Sequence, residues 1–215
     1  MATLGEAICC ESIKSLAEEK SEAIKTLCGA GSTLSPQCCR DIANEVRRYV
    51  DAYEALCLNK NPKPLGMTIY KYTDSAITAS STFFGRYTAS YARLTKVGSS
   101  CSWTSTRAGR TGSWLQVDLG QLTTVTLTGI ATQGTCYGIN EWAKSYSVSY
   151  SYDPNSWTPY KESGKVKVFQ ANTDQSSIVT HSFKSPIRAR YLRVLPKSWS
   201  GYPTMRLELY GCRCI

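Results

Sequence analysis

Ten cysteines carry most of the chemistry available to this chain, and their spacing decides which chemistry that is. They fall at Cys9, Cys10, Cys28, Cys38, Cys39, Cys57, Cys101, Cys136, Cys212 and Cys214. A zinc site needs close pairs such as C-x-x-C, backed by further Cys or His. No C-x-x-C occurs, and the only histidine is His181. The even count and wide spacing favour disulfides and an oxidising compartment, so a secreted, extracellular protein is expected. Residues 1–6 have neither the basic nor the apolar stretch of a secretory leader, so the leader is expected to have been removed from a mature chain.

Other chemistry has little to work with. There is no Ser or Cys nucleophile with an identifiable base, no paired acidic motif and no phosphate-cradling glycine loop. His181 sits in Ile178-Val179-Thr180-His181-Ser182-Phe183, a strand-like run where a structural role is expected. The sequence therefore reads as a binding protein and not an enzyme.

Two segments of different period must position whatever binds. Residues 1–60 read as a helical pair. Ile13, Leu16, Ala17, Ile24 and Leu27 recur at three- and four-residue steps up to Gly29-Ala30-Gly31. A second run, Ile42, Val46, Tyr49, Val50, Tyr53 and Leu56, begins at Ser35-Pro36, with Ser as N-cap and Pro in the first turn. Cys9, Cys10 and Cys28 repeat 29 residues later as Cys38, Cys39 and Cys57. In an antiparallel hairpin, Cys28 could reach Cys38 or Cys39. Two short helices bury little by themselves, so such staples are expected, each contributing about 2–4 kcal/mol.

After Pro64 the period becomes two. Strand-like runs cover 114–119, 125–128, 146–150, 166–169, 191–195 and 205–210, separated by Gly, Pro, Asn, Asp and Ser. Many strands without intervening helices predict an antiparallel sandwich or barrel. No apolar run is long enough to span a bilayer as a helix. Charge divides the same way. Residues 1–60 hold seven Lys/Arg against nine Asp/Glu, and residues 61–215 hold eighteen against seven. An anionic partner is thus expected at the second segment. The disulfide-rich setting argues against nucleic acid.

Specific strings in that segment carry a family resemblance. They are Ile77-Thr78-Ala79-Ser80-Ser81, Trp114-Leu115-Gln116-Val117-Asp118-Leu119-Gly120, Gly129-Ile130-Ala131-Thr132-Gln133-Gly134, Pro186 to Arg193 and Leu207-Glu208-Leu209-Tyr210-Gly211-Cys212. In this order they resemble the discoidin, or coagulation factor 5/8 type C, domain. The resemblance covers about residues 57–212. It implies a mainly β fold: a discoidin-like antiparallel β-sandwich of jelly-roll type, preceded by the small disulfide-stapled α-helical hairpin. Two domains are expected, a cysteine-rich hairpin over 1–56 and a discoidin domain over 57–215. Cysteine placement is most similar to that of the retinoschisin branch. That likeness implies bridges Cys57–Cys212 and Cys101–Cys136, although the repeat would also let Cys57 close the hairpin. Cys9, Cys10, Cys28, Cys38, Cys39 and Cys214 then pair internally or link subunits into an oligomer.

The resemblance also implies ligand-binding loops at one end of the sandwich, here about 82–91, 96–113 and 134–142. Adjacent Phe83 and Phe84 cannot both face a core from a strand, because side chains alternate. Phe83, Phe84, Arg86, Tyr87, Arg107, Arg110, Tyr137 and Ile139 are the candidate ligand-binding residues, with Arg93 and Lys96 nearby. Trp114 and Trp142 are expected in the core, and Arg190 and Arg193 are expected to be solvated or salt-bridged. Some members hold structural calcium. Asp74 and Asp118 are the only acids near the expected rim, too few for a site, so no metal or cofactor is expected. The first expectation is adhesion to glycans or glycoproteins of the cell surface or matrix, since aromatic faces and guanidinium suit sugars. The alternatives are anionic phospholipid, bound by loop aromatics and basic residues, or a disulfide-linked structural matrix protein. Two aromatics and three cations contribute about 6–9 kcal/mol before association costs. A single domain would bind weakly, and several copies would gain by avidity.

Overall fold

The computed structural model describes residues 10–29, 33–53, 63–69, 71–98, 101–106, 111–120 and 125–213. Helix α1 spans Cys10–Cys28 and α2 spans Pro36–Tyr53. Ser35 caps α2, its hydroxyl accepting the Cys38 N–H at 3.1 Å. The helices pack as a hairpin with Cys28 bridged to Cys39 (Cα–Cα 5.7 Å) and Lys20 paired with Glu45 at 3.6 Å. Cys38, the other sulfur within expected reach of Cys28, is a free thiol. Only Val46 is buried among the described hairpin side chains, and Leu27, expected on the apolar stripe, is 50% exposed. A two-helix unit has a single interface, so part of each apolar stripe stays outside it.

Twelve strands follow among the described residues. β1 is Ile77–Ala79, β2 Trp103–Thr104, β3 Leu115–Asp118, β4 Val125–Gln133, β5 Trp142–Ser151 and β6 Thr158–Pro159. β7 is Lys161–Glu162, β8 Lys165–Val166, β9 Val168–Gln170, β10 Val179–Ala189, β11 Tyr191–Ser200 and β12 Thr204–Arg213. One sheet runs β1-β3-β11-β5-β6, with β9 also on β5; the other runs β10-β4-β12-β2; β7 and β8 form a small hairpin. All these pairings are antiparallel.

Period-two patterning builds the core. Leu115 and Val117 in β3, Leu192 and Val194 in β11, and Tyr146 and Val148 in β5 are buried. In register, Val117 lies opposite Leu192, and Leu115 and Val148 flank Val194. Met205, Leu207 and Leu209 of β12, with Leu127 and Ile130 of β4, face them from the other sheet. The run expected over 166–169 is divided: Lys167 turns its N–H to Tyr160 O, separating β8 from β9.

The fully buried tryptophan is Trp103, whose Nε1–H donates to Ser81 O at 2.9 Å. Trp114, expected in the core, is half-buried on the outer face, with Arg193 4.0 Å above its ring. It lies one residue before buried Leu115, so the pleat turns it outward. Trp142 is likewise half-buried. Arg193 is held between Trp114 and Trp157, and Arg190 is paired with Asp118 at 2.9 Å. His181 lies in β10, its Nε2 2.6 Å from Gln170 O and its ring against Phe169.

Two long-range pins fix the chain entering the sandwich. Buried Glu208 accepts the N–H groups of Met67, Thr68 and Leu209. Arg93, 1% exposed, donates to Met67 O, Tyr72 O and Asp74. Arg93, which lies near the candidate binding loops, is thus a structural residue and not a loop cation.

A turn behind the loops titrates in acid. Asp174 accepts from Ser177 and Ser176, and these hydrogen bonds, that of Ser177 foremost, lower its carboxyl to about 2. An unfolded Asp protonates near 3.9. Its contribution to stability is therefore present above about pH 4 and lost as pH falls toward 2. The melting temperature should drop across that window, and Asp174→Asn should flatten the drop. An unchanged acid limb in the variant would rule this source out.

Candidate functional site at one end of the sandwich

Register places one set of loops together. β1 ends beside the start of β3, and β5 begins beside the end of β11, where Trp142 faces Ser200. The end of β4 lies beside the start of β12, with Gln133 opposite Arg206. The described parts of the expected loops 82–91, 96–113 and 134–142 thus lie at this end, joined by 201–203.

The first segment curls over β2. Phe83 N–H donates to Thr104 O at 2.9 Å, and Thr104 N–H returns to Tyr87 O at 3.2 Å. This turns Phe83 inward and Phe84 outward. Phe83 is half-buried, its ring 4.8 Å from Tyr202 and 4.7 Å from Phe84. Phe84 is 73% exposed and holds φ at 113°, a region that favours glycine. A bulky residue at such φ costs about 1–3 kcal/mol, a strain seen most often at functional sites. Tyr87 joins Tyr137 at 5.7 Å, so the first and third loops share one aromatic cluster.

Two further apolar side chains protrude at this end. Ile139 is 41% exposed and Val97 79% exposed. Arg86 is exposed, and Lys96 Nζ lies 5.3 Å over the Tyr91 ring. Arg107 and Arg110 lie outside the described residues, as do Cys9, Cys57 and Cys214 and the side chains of Cys10 and Cys212.

What holds the tips is buried beneath them. Cys101 is bridged to Cys136, with Cα atoms 6.1 Å apart, tying the second loop to the third. Arg206, 3% exposed, donates to the carbonyl oxygens of Gly134 (2.7 Å), Lys96 (2.8 Å), Thr135 (3.2 Å) and Gln175 (3.4 Å). Burial pulls its guanidinium down to about 10, and among the described residues no carboxylate pairs with it. It remains a cation at neutral pH and is spent on backbone. Gln133 adds bonds to Thr95 N–H and Ser176 O.

Val97, Tyr202 and Arg206 were absent from the sequence-derived candidates. Lys96-Val97-Gly98 signals a turn with an apolar residue at its tip, and Ser200-Gly201-Tyr202-Pro203 signals another turn. Arg206 has no such signal, because only packing reveals which strand residues face loops. The two acids weighed for calcium have protein partners: Asp74 accepts from Arg93, and Asp118 accepts from Arg190 and Gly120. Asp118 also lies at the opposite end, where β11 begins.

Known proteins share this architecture. A family model for the F5/8 type C domain matches residues 76–209. Lactadherin of Rattus norvegicus is 43% identical over 158 residues, 70% of this chain and 36% of its own length. Coagulation factor VIII of Sus scrofa is 40% identical over 159 residues, 72% of this chain and 7% of its own length. The chain thus spans about a third of the one and under a tenth of the other. Discoidin II of Dictyostelium discoideum superposes with a TM-score of 0.55 at 24% identity, over 63% of this chain and 54% of that one, a likeness of fold alone. With a family model over most of the sandwich and relatives near two-fifths identity, the chain belongs to the F5/8 type C domain family.

Proposed function

We propose that this protein works outside the cell by docking the apical end of its sandwich onto a membrane that displays anionic phospholipid, with no bond made or broken. One observation carries the reading: Phe84, Val97 and Ile139 are exposed on three separate loops at the same end of the domain. Water disfavours clustered apolar tips, and a bilayer rewards them. Burying Phe84 contributes about 1.5–3 kcal/mol, and smaller amounts come from Val97 and Ile139. Arg86 and Lys96, beside two of the tips, each add about 1 kcal/mol near an anionic leaflet.

The glycan reading that the sequence favoured first would use the same loops. A sugar needs hydroxyl partners in a concave site, whereas these tips are apolar and project outward, so the membrane reading is preferred. Association costs leave one domain a weak binder. Residues 1–56 are then a separate unit whose spare sulfurs gather copies, and avidity supplies useful affinity.

Phe84→Gly tests the reading. Glycine suits φ 113°, so the melting temperature should hold or rise. Sedimentation with phosphatidylserine vesicles should weaken about 10- to 100-fold. If Phe84→Gly combined with Val97→Ser sediments like the parent protein, the membrane reading fails.

A further inference from the structure

At the other end of the strands the two sheets part along one edge. A cleft of about 260 Å³ opens there between β5–β6 and β10, lined by Tyr150, Pro159, Tyr160, Lys161, Pro186 and Ile187. Its cause is local. β10 breaks register with β4 between Ser182 and Ile187, a bulge that bends the strand beside the cleft. Ser185 N–H is recruited by the Tyr160 hydroxyl at 3.2 Å, which fixes the ring in the cleft wall. Tyr150 lies eight residues along β5 from Trp142, about 26 Å from the apical loops at an ordinary strand rise.

Charge surrounds this cleft. Lys161 lines it, Lys184 precedes the Ser185-Pro186 wall, and Lys165 and Lys167 stand on the β7–β8 hairpin and its exit. Glu162 is the acid that faces them; it is bonded to Lys167 at 2.7 Å and feels Lys184. Four lysines thus stand around one carboxylate. Lys161, Lys165 and Lys184 are exposed and make no ion pair within the described residues. Neither the sandwich core nor the proposed membrane contact requires so many unpaired like charges, and their mutual repulsion costs stability.

We propose that this lateral cleft is a second binding site, for a sulfated polysaccharide chain. Ring faces of tyrosine and proline offer apolar walls for pyranose C–H surfaces, and the surrounding cations offer charge-assisted bonds to sulfate. A flat bilayer held by the apical tips cannot also reach a recess on the side of the strands. A chain polymer can. The site is independent of the membrane reading, since it shares no residue with the apical loops.

Binding of the full chain to immobilised heparin, chemically desulfated heparin and phosphatidylserine vesicles tests the idea. Heparin should bind with an affinity that falls steeply with added salt, and the desulfated polymer should bind at least tenfold more weakly. Lys161→Glu with Lys184→Glu should lower heparin affinity about tenfold or more and leave vesicle binding intact. Lys144→Glu with Lys197→Glu, which changes net charge equally at exposed positions elsewhere, should have a smaller effect. On the unaltered protein, heparin should shield Lys161, Lys165 and Lys184 from acetylation and leave Lys197 reactive. Equal losses from the two charge reversals, or uniform shielding of all lysines, would reduce the cleft to general polyanion attraction and overturn the proposal. Equal binding of the desulfated polymer would overturn it too.

Discussion

Replacing Arg206 by leucine should cost about 3–5 kcal/mol of stability and slacken two of the three apical loops together. Arg206 supplies donors to four carbonyls, those of Gly134, Thr135, Lys96 and Gln175. Leucine keeps much of the volume and none of the donors. A buried carbonyl left without a partner costs about 1–3 kcal/mol, and the loops would give way to admit water before the whole sum accrued. Part is returned, because the burial that pulls the guanidinium down to about 10 already opposes its charge. Lysine should fall between the two, since a single ammonium cannot span acceptors spread over three segments. Denaturant unfolding measures the loss. Vesicle binding, taken at a temperature where the variant is still folded, should also weaken, because Lys96 and Gly134–Thr135 anchor the segments that carry Val97 and Ile139. An unfolding midpoint equal to the parent's would show that the four bonds contribute nothing net.

Gly211→Ala should be as damaging by a different route. Gly211 stands where β12 slips register against β4, between Tyr210 and Gly211. A Cβ added there would lie 2.1 Å from Thr126 O and 3.0 Å from Leu127 Cα. Both obstacles are backbone of the neighbouring strand, so no rotamer change relieves them and the central pair of the four-stranded sheet must separate. A loss above about 3 kcal/mol, or failure to accumulate folded protein, is expected. Gly138→Ala serves as the control. Gly138 also has positive φ, +72°, but its missing Cβ would meet nothing within 4 Å. Only the left-handed backbone penalty of about 1–2 kcal/mol applies there. If the two variants unfold alike, close approach is not what Gly211 provides.

These two positions mark the limit of reading along the chain. Period-two runs gave the long strands, because burial on one face of a sheet forces alternation, and Ser35-Pro36 gave the start of α2 because unpaired helical N–H groups need a cap. Family strings gave the sandwich. The same strings could not tell which side of β3 Trp114 would occupy, since a pleat reverses face at each residue. They also could not separate Arg93 and Arg206, which are buried and bound to backbone, from Arg86, which is exposed.

The sequence by itself determined oxidised sulfur chemistry, a helical pair before a β-sandwich, and a cationic second segment, because composition, spacing and period are local quantities. Tertiary structure alone decided that Cys28 takes Cys39 and not Cys38, that Phe83 turns in while Phe84 turns out, and that Val97 and Ile139 share an end with Phe84. It also decided that a bulged β10 leaves a cation-edged cleft far from that end. Each outcome depends on which distant backbone lies alongside, and strand order across two sheets is written in no single stretch of residues.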